Sequence, residues 1–173
     1  MLAYKCKLDK YDPTVVSAGS RKVILGLGNF LFQDEGFGVH AVLALKEELG
    51  EIGDVELLDG GVMGLNLLPL IEECQNLLVL DAIDAGQPAG TIIELNKDEI
   101  PLYAGAKLSE HQVSFQEVLG LARFRDRLPN HLYLIGVQPE CFSIGIGLSQ
   151  PVADALPQVT LRAKGILRSW GLI

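Results

Sequence analysis

The sequence predicts an α/β domain, and three observations lead to that prediction. Segments with strand patterns alternate with segments whose apolar residues recur at helical spacing. Residues 22–27 form a hydrophobic strand pattern that runs into a turn containing Gly26 and Gly28, the usual opening of a doubly wound α/β domain. Residues 77–80 form a continuous apolar run, which is expected of a central parallel strand buried on both faces.

The first half of the chain predicts three strands and two helices. After the first strand, a helix over residues 36–49 is indicated by four residues at helical spacing: Gly38, Val42, Leu45 and Leu49. A short strand over residues 55–58 ends at a glycine-containing loop, and a second helix over residues 65–73 follows. The third strand, the apolar run, ends at Asp81, so it delivers a carboxylate to its C-terminal end.

A fourth strand and a third helix follow. The strand is predicted over residues 90–95, and the pattern does not resolve the stretch from there to residue 108. Ser114 and Glu117 have the spacing of a capping box and predict the start of a helix just after His111.

The last elements are a strand over residues 132–137 and a helix over residues 152–170. Pro157 lies inside this helix and is expected to kink or split it, at a cost of ~3 kcal/mol. At the other end of the chain, residues 1–20 show neither a strand nor a helix period, so we expect a loosely held extension of a domain at residues 21–173.

Composition indicates a compact, acidic protein. The 173 residues carry a formal net charge of −8, and because phosphate binding needs clustered Lys and Arg, nucleic acid is not an expected partner. Cys6, Cys74 and Cys141 lie far apart, which favours a reducing compartment over a disulfide framework or a structural zinc site. No apolar run reaches the ~20 residues that span a bilayer, so we expect a cytoplasmic protein without membrane insertion.

The turn after the first strand is acidic where a nucleotide-binding turn would accept phosphate. A dinucleotide fingerprint has a third glycine where this chain has Leu31, and an anion would meet Asp34 and Glu35 on entering the loop. Acidic side chains at a helix start repel phosphate and attract cations. The loop therefore suits a metal or a positively charged group.

Three candidate ligands are predicted at the carboxyl edge of the sheet: Glu35, Asp81 and His111. Two carboxylates and an imidazole suit a divalent cation such as nickel or zinc, and three protein ligands leave a position open for substrate or water. Taken singly, each also has an ordinary interpretation as a helix cap, a loop hydrogen-bonding group or a surface histidine.

The remaining polar residues near this edge have simpler interpretations. We expect Asp34 to be a solvated neighbour of Glu35 or a cap. His40, one turn into the first helix, is expected to be a partly buried helix residue, and His131 is expected to be structural.

Five segments occur in an order and spacing that match one known protein family. They are Leu25-Gly26-Leu27-Gly28-Asn29 with Asp34-Glu35-Gly36-Phe37-Gly38, Leu58-Asp59-Gly60-Gly61 with Gly64, Asp81-Ala82-Ile83, His111-Gln112 and Gly136-Val137-Gln138-Pro139-Glu140. At these residues the chain resembles the hydrogenase maturation endopeptidases, which trim the C-terminal extension of the large subunit of nickel-iron hydrogenases. The resemblance covers nearly everything from residue 22 to the C-terminus.

The resemblance implies a fold and a set of site residues. The implied fold is a three-layer α/β sandwich with a twisted, mostly parallel sheet and helices on both faces. The implied metal-contacting and catalytic residues are Glu35, Asp81 and His111. The implied substrate-binding residues are Asp59, Gly60, Gly61 and Gly64.

The resemblance also implies that the nickel belongs to the partner, the immature large-subunit precursor, and that the protease uses it to recognise a loaded substrate. We expect no tightly bound organic cofactor and a monomeric protein. The three site residues would position or deprotonate the attacking water while the metal polarises the scissile carbonyl. The sequence leaves open which of the three acts as the base, and it contains neither an HExxH helix nor a GxSxG elbow.

Two other classes of function remain open at this point. In a dinucleotide-binding enzyme Asp59 would hold a ribose, although Leu31 and the acidic loop disfavour this class. A noncatalytic chaperone that binds nickel or the hydrogenase precursor is compatible with all the matched residues, and only a cleavage assay distinguishes it.

Overall fold

A five-stranded sheet forms the centre of the structure, a computed structural model that describes residues 20–100 and 114–173. Its strands are β1 (Arg21–Leu27), β2 (Val55–Gly61), β3 (Cys74–Ala82), β4 (Ile92–Asn96) and β5 (His131–Val137). They lie in the order β2-β1-β3-β5-β4, and only β4 runs antiparallel to its neighbour. The predicted α/β fold with a mostly parallel sheet is confirmed.

Four α-helices occur in the described residues: α1 (Phe37–Leu49), α2 (Leu68–Glu73), α3 (Phe115–Phe124) and α4 (Gln150–Ser169). Short 3₁₀ helices at Gln33–Gly36 and Gly64–Leu67 lead into α1 and α2. The predicted capping box of α3 is present, since the Glu117 backbone N–H donates to Ser114 Oγ at 3.3 Å and the Ser114 N–H donates to the Glu117 carboxylate at 2.6 Å.

Alternation along the strands divides the core between the two faces of the sheet. On β3, Leu78 and Leu80 pack with residues of α1 and α4, whereas Leu77 and Val79 pack with residues of α2 and α3. Helices therefore cover both faces, as the sandwich requires.

One element contradicts its prediction. Helix α4 runs unbroken from Gln150 to Ser169, so the expected split at Pro157 is wrong. The residues that follow the proline on the buried face, Val159, Ala163 and Leu167, are completely inaccessible to solvent. Burial of each large apolar side chain contributes roughly 1.5–3 kcal/mol, which offsets the ~3 kcal/mol cost of an interior proline.

The described residues settle only part of the remaining predictions. Residues 1–19 of the expected extension lie outside them, as do His111 and residues 101–108 of the irregular stretch. Within residues 20–100 and 114–173, no helix combines the length and the apolar character that crossing a bilayer requires.

Candidate active site

The site lies where the strand order reverses. From β1 the chain continues to β2 on one side of β1 and then crosses to β3 on the other side. The crevice between β1 and β3, at their carboxyl ends, is therefore the switch point at which ligands bind in open α/β sheets. Glu35 follows β1, and Asp81 lies near the end of β3.

Two glycines bring Glu35 to this crevice by allowing backbone segments to pack without side chains between them. A Cβ on Gly28 would lie 1.7 Å from the Glu35 carbonyl oxygen, and a Cβ on Gly38 would lie 2.0 Å from the Leu80 carbonyl oxygen. Gly28 also has a φ of +114°, which side chains rarely adopt. The turn is thus filled by the chain's own backbone, which counts against a pyrophosphate in that place.

The Glu35 carboxylate has an unusual environment. Its Oε2 atom is buried and has no hydrogen-bond partner among the described residues. Burial raises the pKa of this carboxyl group above its usual value. Because a buried charge without a partner is unfavourable, the site fits a cation or a donor supplied from outside the described chain.

Asp81 faces the same crevice from β3. By alternation its side chain lies on the sheet face that also carries Leu77 and Val79. Burial raises the pKa of Asp81 to about 7; the Ala82 N–H, which donates to Oδ1 at 2.8 Å, opposes the rise, and the negative charge of Glu35 adds to it. Two neighbouring buried carboxylates with raised pKa values are an environment in which a divalent cation can replace the proton.

His111, the third predicted ligand, lies outside the described residues. Helix α3 begins four residues after it, and Val118 and Leu119 of α3 pack in the same core cluster as Leu77 and Val79, on the face of Asp81. No group of three potential metal ligands occurs among residues 20–100 and 114–173. Glu35 and Asp81 therefore need a further ligand from elsewhere to complete a metal site.

The structure overturns the prediction that Asp34 is solvated or caps a helix. Its side chain is 0% exposed. Oδ2 accepts hydrogen bonds from the Glu140 N–H at 2.9 Å, the Cys141 N–H at 3.1 Å and the Ser149 hydroxyl at 2.8 Å, and Oδ1 accepts one from the Ser149 N–H at 2.7 Å. Asp34 instead joins the turn after β1 to the loop after β5. No sequence pattern distinguished it from Glu35.

Backbone pairing strengthens this connection between the two loops. The Gln33 N–H donates to the Gly145 carbonyl at 3.0 Å, and the Gly145 N–H donates to the Leu31 carbonyl at 2.9 Å. Gln33 has a φ of +46°, an uncommon conformation for a residue with a side chain. The backbone on the N-terminal side of Glu35 is consequently held by several independent contacts.

Gln138 is a second residue whose role the sequence did not predict. Its side-chain carbonyl accepts hydrogen bonds from the N–H groups of Ala85 at 2.8 Å and Gln87 at 3.1 Å, and its amide donates to the Asp84 carboxylate at 3.0 Å. Gln138 is buried and thereby fixes the loop that follows Asp81 and β3.

The loop after β2 reaches the same edge. The Gly61 N–H donates to Asp59 Oδ1 at 2.9 Å, and the Gly28 N–H donates to the Gly61 carbonyl at 3.0 Å, so this loop is tied to the turn after β1. Gly61 and Gly64 have positive φ values of 44° and 52°. Three of the four residues predicted to bind substrate, Asp59, Gly60 and Gly61, therefore end β2 beside the turn that carries Glu35, and Gly64 begins the 3₁₀ helix that follows.

Exposed apolar side chains surround this edge on three loops. They are Phe30 and Leu31 after β1, Val62, Met63 and Leu65 after β2, and Ile144 and Ile146 after β5. Ile144 is 84% exposed and Ile146 is 75% exposed. Apolar side chains concentrated at one site are typical of a surface that binds another protein.

Known proteins are similar to this chain over most of its length. A family model of hydrogenase maturation proteases, HycI, matches residues 39–165. The hydrogenase expression/formation protein HupD of Rhizobium leguminosarum bv. viciae is 44% identical over 154 residues, which cover 88% of this chain and 76% of that protein. The hydrogenase 2 maturation protease of Escherichia coli (strain K12) is 35% identical over 153 residues, which cover 88% of this chain and 93% of that protein.

A solved structure shows the same fold. The hydrogenase maturating endopeptidase HYBD from E. coli superposes with a TM-score of 0.79 at 35% identity, covering 87% of this chain and 94% of that one.

Proposed function

The chain belongs to the hydrogenase maturation protease family, and we propose that it removes the C-terminal extension of a nickel-iron hydrogenase large-subunit precursor after nickel insertion. It is an endopeptidase, a hydrolase that acts on peptide bonds. Its partner is the large-subunit precursor, and nickel enters the reaction as part of that substrate.

The observation that carries this proposal is the pair of carboxylates at the switch point. Glu35 has a buried oxygen without a partner in the described chain, and the raised pKa of Asp81 indicates a site that favours an added positive charge. We propose that Glu35, Asp81 and His111 contact the nickel of the precursor. Carboxylate and imidazole ligands are compatible with nickel, and the rest of the metal's ligands would remain those of the substrate.

The same residues provide the groups that peptide hydrolysis needs. A metal at the scissile carbonyl polarises it, and a carboxylate or imidazole within hydrogen-bonding distance orients and deprotonates water. Recognition of the loaded precursor and cleavage then use one site, so a precursor without nickel would lack both the contact and the polarising charge.

The loops around the site support a protein substrate. The exposed apolar side chains after β1, β2 and β5 offer a surface to the folded precursor, and the segment from Asp59 at the end of β2 to Gly64 lies beside it. We further propose a monomer, which size-exclusion chromatography tests. The sparse cysteines favour a cytoplasmic location.

The test compares nickel-loaded and nickel-free precursor in parallel. The protease is stripped with a chelator, the chelator is removed, and the precursor mass is measured before and after incubation without added metal. We expect cleavage of the loaded precursor alone. Cleavage of both precursors, or of neither until zinc is restored to the protease, would show that cleavage depends on a metal held by the enzyme and not on the nickel of the precursor.

A matched control separates metal recognition from loss of negative charge. Glu51 is an exposed carboxylate between α1 and β2, at the opposite edge of the sheet. Glu51→Gln removes the same charge as Glu35→Gln and is expected to cleave the loaded precursor at the wild-type rate. If neither variant nor the wild type changes the precursor mass, the noncatalytic binding function is the correct one.

A further inference from the structure

We infer that a pocket beside the candidate site receives an apolar side chain of the precursor, from a residue within about three positions of the bond that is cut. The inference rests on the proposed function and extends it to substrate selection.

The pocket lies between the ends of β1 and β2 and the segment that leads into α2. Its volume is about 270 Å³, and five apolar side chains, Leu25, Leu58, Met63, Leu67 and Leu70, line it together with Asn66. This cavity is separate from the carboxylate pair, since neither Glu35 nor Asp81 lines it.

Strand register relates the pocket to the site. Gly26 of β1 pairs with Asp59 on one side and with Leu80 on the other. Neighbouring strands lie about 4.8 Å apart, so the pocket-lining residue Asp59 and the residue before Asp81 are separated by roughly 10 Å across β1. An extended peptide advances about 3.3 Å per residue, so this separation corresponds to about three residues.

Side-chain direction places the pocket and Asp81 on the same face of the sheet. Leu25 and Leu58 pack in the cluster that contains Leu77 and Val79, the face to which Asp81 belongs by alternation. The hydrogen bond from the Gly28 N–H to the Gly61 carbonyl joins the pocket's loop to the turn that carries Glu35. A peptide held at the carboxylates reaches this pocket without crossing the sheet.

Size and chemistry select the occupant. A volume of about 270 Å³ is below the roughly 300–1,000 Å³ of sites for drug-sized ligands and cofactors, so the pocket suits a single side chain. Its lining is mainly aliphatic, and the carboxylate of Asp59 already accepts a hydrogen bond from the Gly61 N–H. An aliphatic side chain satisfies this lining, whereas a charged one would lose its hydration there.

The chain offers a direct probe of occupancy that does not depend on cleavage. It has only two methionines, Met1 and Met63, and Met63 lines the pocket. With ¹³C-methyl methionine, each residue gives one NMR signal. Peptides spanning the cleaved bond are titrated, with each of the three positions on either side of that bond substituted in turn by Leu, Ala, Asp or Arg.

We expect the Met63 signal to shift saturably as a peptide is added. The peptide's apparent affinity should fall about 10-fold or more when Leu at one position is replaced by Asp, in line with side-chain selection in apolar pockets. Absence of a Met63 shift with every peptide would overturn the inference. So would equal or tighter binding of the Arg peptides, since that result would assign the site to a cation.

A pair of variants tests the pocket in the cleavage reaction. Met63→Trp fills the pocket, and the control Leu161→Trp adds a tryptophan at an exposed leucine of α4 that neither lines the pocket nor belongs to the apolar surface around the site. We expect Met63→Trp to lower kcat/KM about 10-fold or more for a precursor with Leu at the position that enters the pocket. Most of that loss should disappear when the precursor has Ala at the same position. Leu161→Trp should leave the Leu-to-Ala ratio at its wild-type value.

The outcomes separate the two proposals. A wild-type protein that cleaves the precursor, together with an unchanged Leu-to-Ala ratio in Met63→Trp, overturns the pocket inference alone. A wild-type protein that cleaves nothing overturns the proposed function, and the Met63 signal then decides whether the pocket binds the peptide.

Discussion

At the scale of single residues, Asp34 and Glu35 are adjacent carboxylates with opposite environments. Asp34 accepts four hydrogen bonds from the loop after β5, whereas one oxygen of Glu35 has no partner in the described chain. Fully paired buried carboxylates stabilise a fold, while an unpaired one is usually kept for binding or chemistry. Their neighbours in sequence give no sign of this division, because the partners of Asp34 lie more than 100 residues away.

The first prediction concerns the proposed contacts with nickel. We expect Glu35→Gln, Asp81→Asn and His111→Ala each to abolish processing of the loaded precursor, since each removes a proposed ligand. Circular dichroism and thermal melting should show that Glu35→Gln and Asp81→Asn remain folded, because each removes an unfavourable buried charge and keeps the side-chain volume. Wild-type processing by any one variant would remove that residue from the site.

Asp34 should behave differently, as a residue that stabilises the fold. We expect Asp34→Ala to lower the free energy of unfolding by about 3 kcal/mol or more, because four donors lose a buried acceptor. Urea denaturation measures the change. The control is Asp54→Ala, which removes an exposed carboxylate paired with Lys22 at 3.3 Å and should change stability by less than about 1 kcal/mol. Equal effects in the two variants would contradict our description of Asp34.

At the scale of elements, the sequence predicted which segments are strands and helices better than where they end. The strand predicted at residues 55–58 extends to Gly61, because β1 offers partners as far as Leu27, which pairs with Gly61. Glycine is a poor strand former by itself, so only the tertiary pairing accounts for this extension. The antiparallel direction of β4 likewise depends on its pairing with β5, which local patterns do not encode.

The residues near the site also differ in whether local sequence patterns or contacts with distant segments determine their positions. Glu35 and Asp81 were predictable as residues of this edge, because each follows a predicted strand whose carboxyl end must lie at the same edge of a parallel sheet. Asp34 and Gln138 were not, since their roles depend on hydrogen bonds to loops whose course no periodicity predicts.

Helix α4 provides a prediction at this scale. Pro157 is an exposed residue inside a continuous helix, so it costs a backbone hydrogen bond and contributes little packing. We expect Pro157→Ala to raise the free energy of unfolding by roughly 1–2 kcal/mol, which is the ~3 kcal/mol helix penalty reduced by the greater freedom of the unfolded chain. Calorimetry measures the change, and Gln158→Ala, at the next exposed position, should have an effect within about 0.5 kcal/mol. A destabilised Pro157→Ala would show that the helix depends on the proline.

At the scale of the whole molecule, the two faces of the sheet differ in the residues that they carry. The face covered by α1 and α4 contains an extended apolar core, including the buried side of the longest helix. The face covered by α2 and α3 contains the second core and, at its carboxyl edge, Asp81 and the pocket beside β2. Asp81 and the pocket therefore lie at one edge of one face of the sheet.

The fourth prediction tests where the domain begins. The sequence of residues 1–20 lacks a strand or helix period, so we expect the domain to begin at residue 21. We expect deletion of residues 1–20 to shift the melting temperature by less than a few degrees and to leave the cleavage rate nearly unchanged. Differential scanning calorimetry and the precursor mass assay measure the two quantities. A large fall in melting temperature would assign this segment a place in the core.

The Glu35 oxygen that lacks a partner among the described residues has a consequence, under the proposed function, for how the enzyme avoids cleaving other proteins. Under the proposed function, a buried carboxylate oxygen without a partner among the described residues is locally unfavourable, and the nickel of the precursor would relieve it. The released free energy then adds to the affinity for a metal-bearing chain, because anything that binds the folded state preferentially stabilises it. A precursor without nickel would lack this contribution, so the proposed function predicts that loaded and unloaded precursors are distinguished by charge balance before any side chain of the substrate is bound.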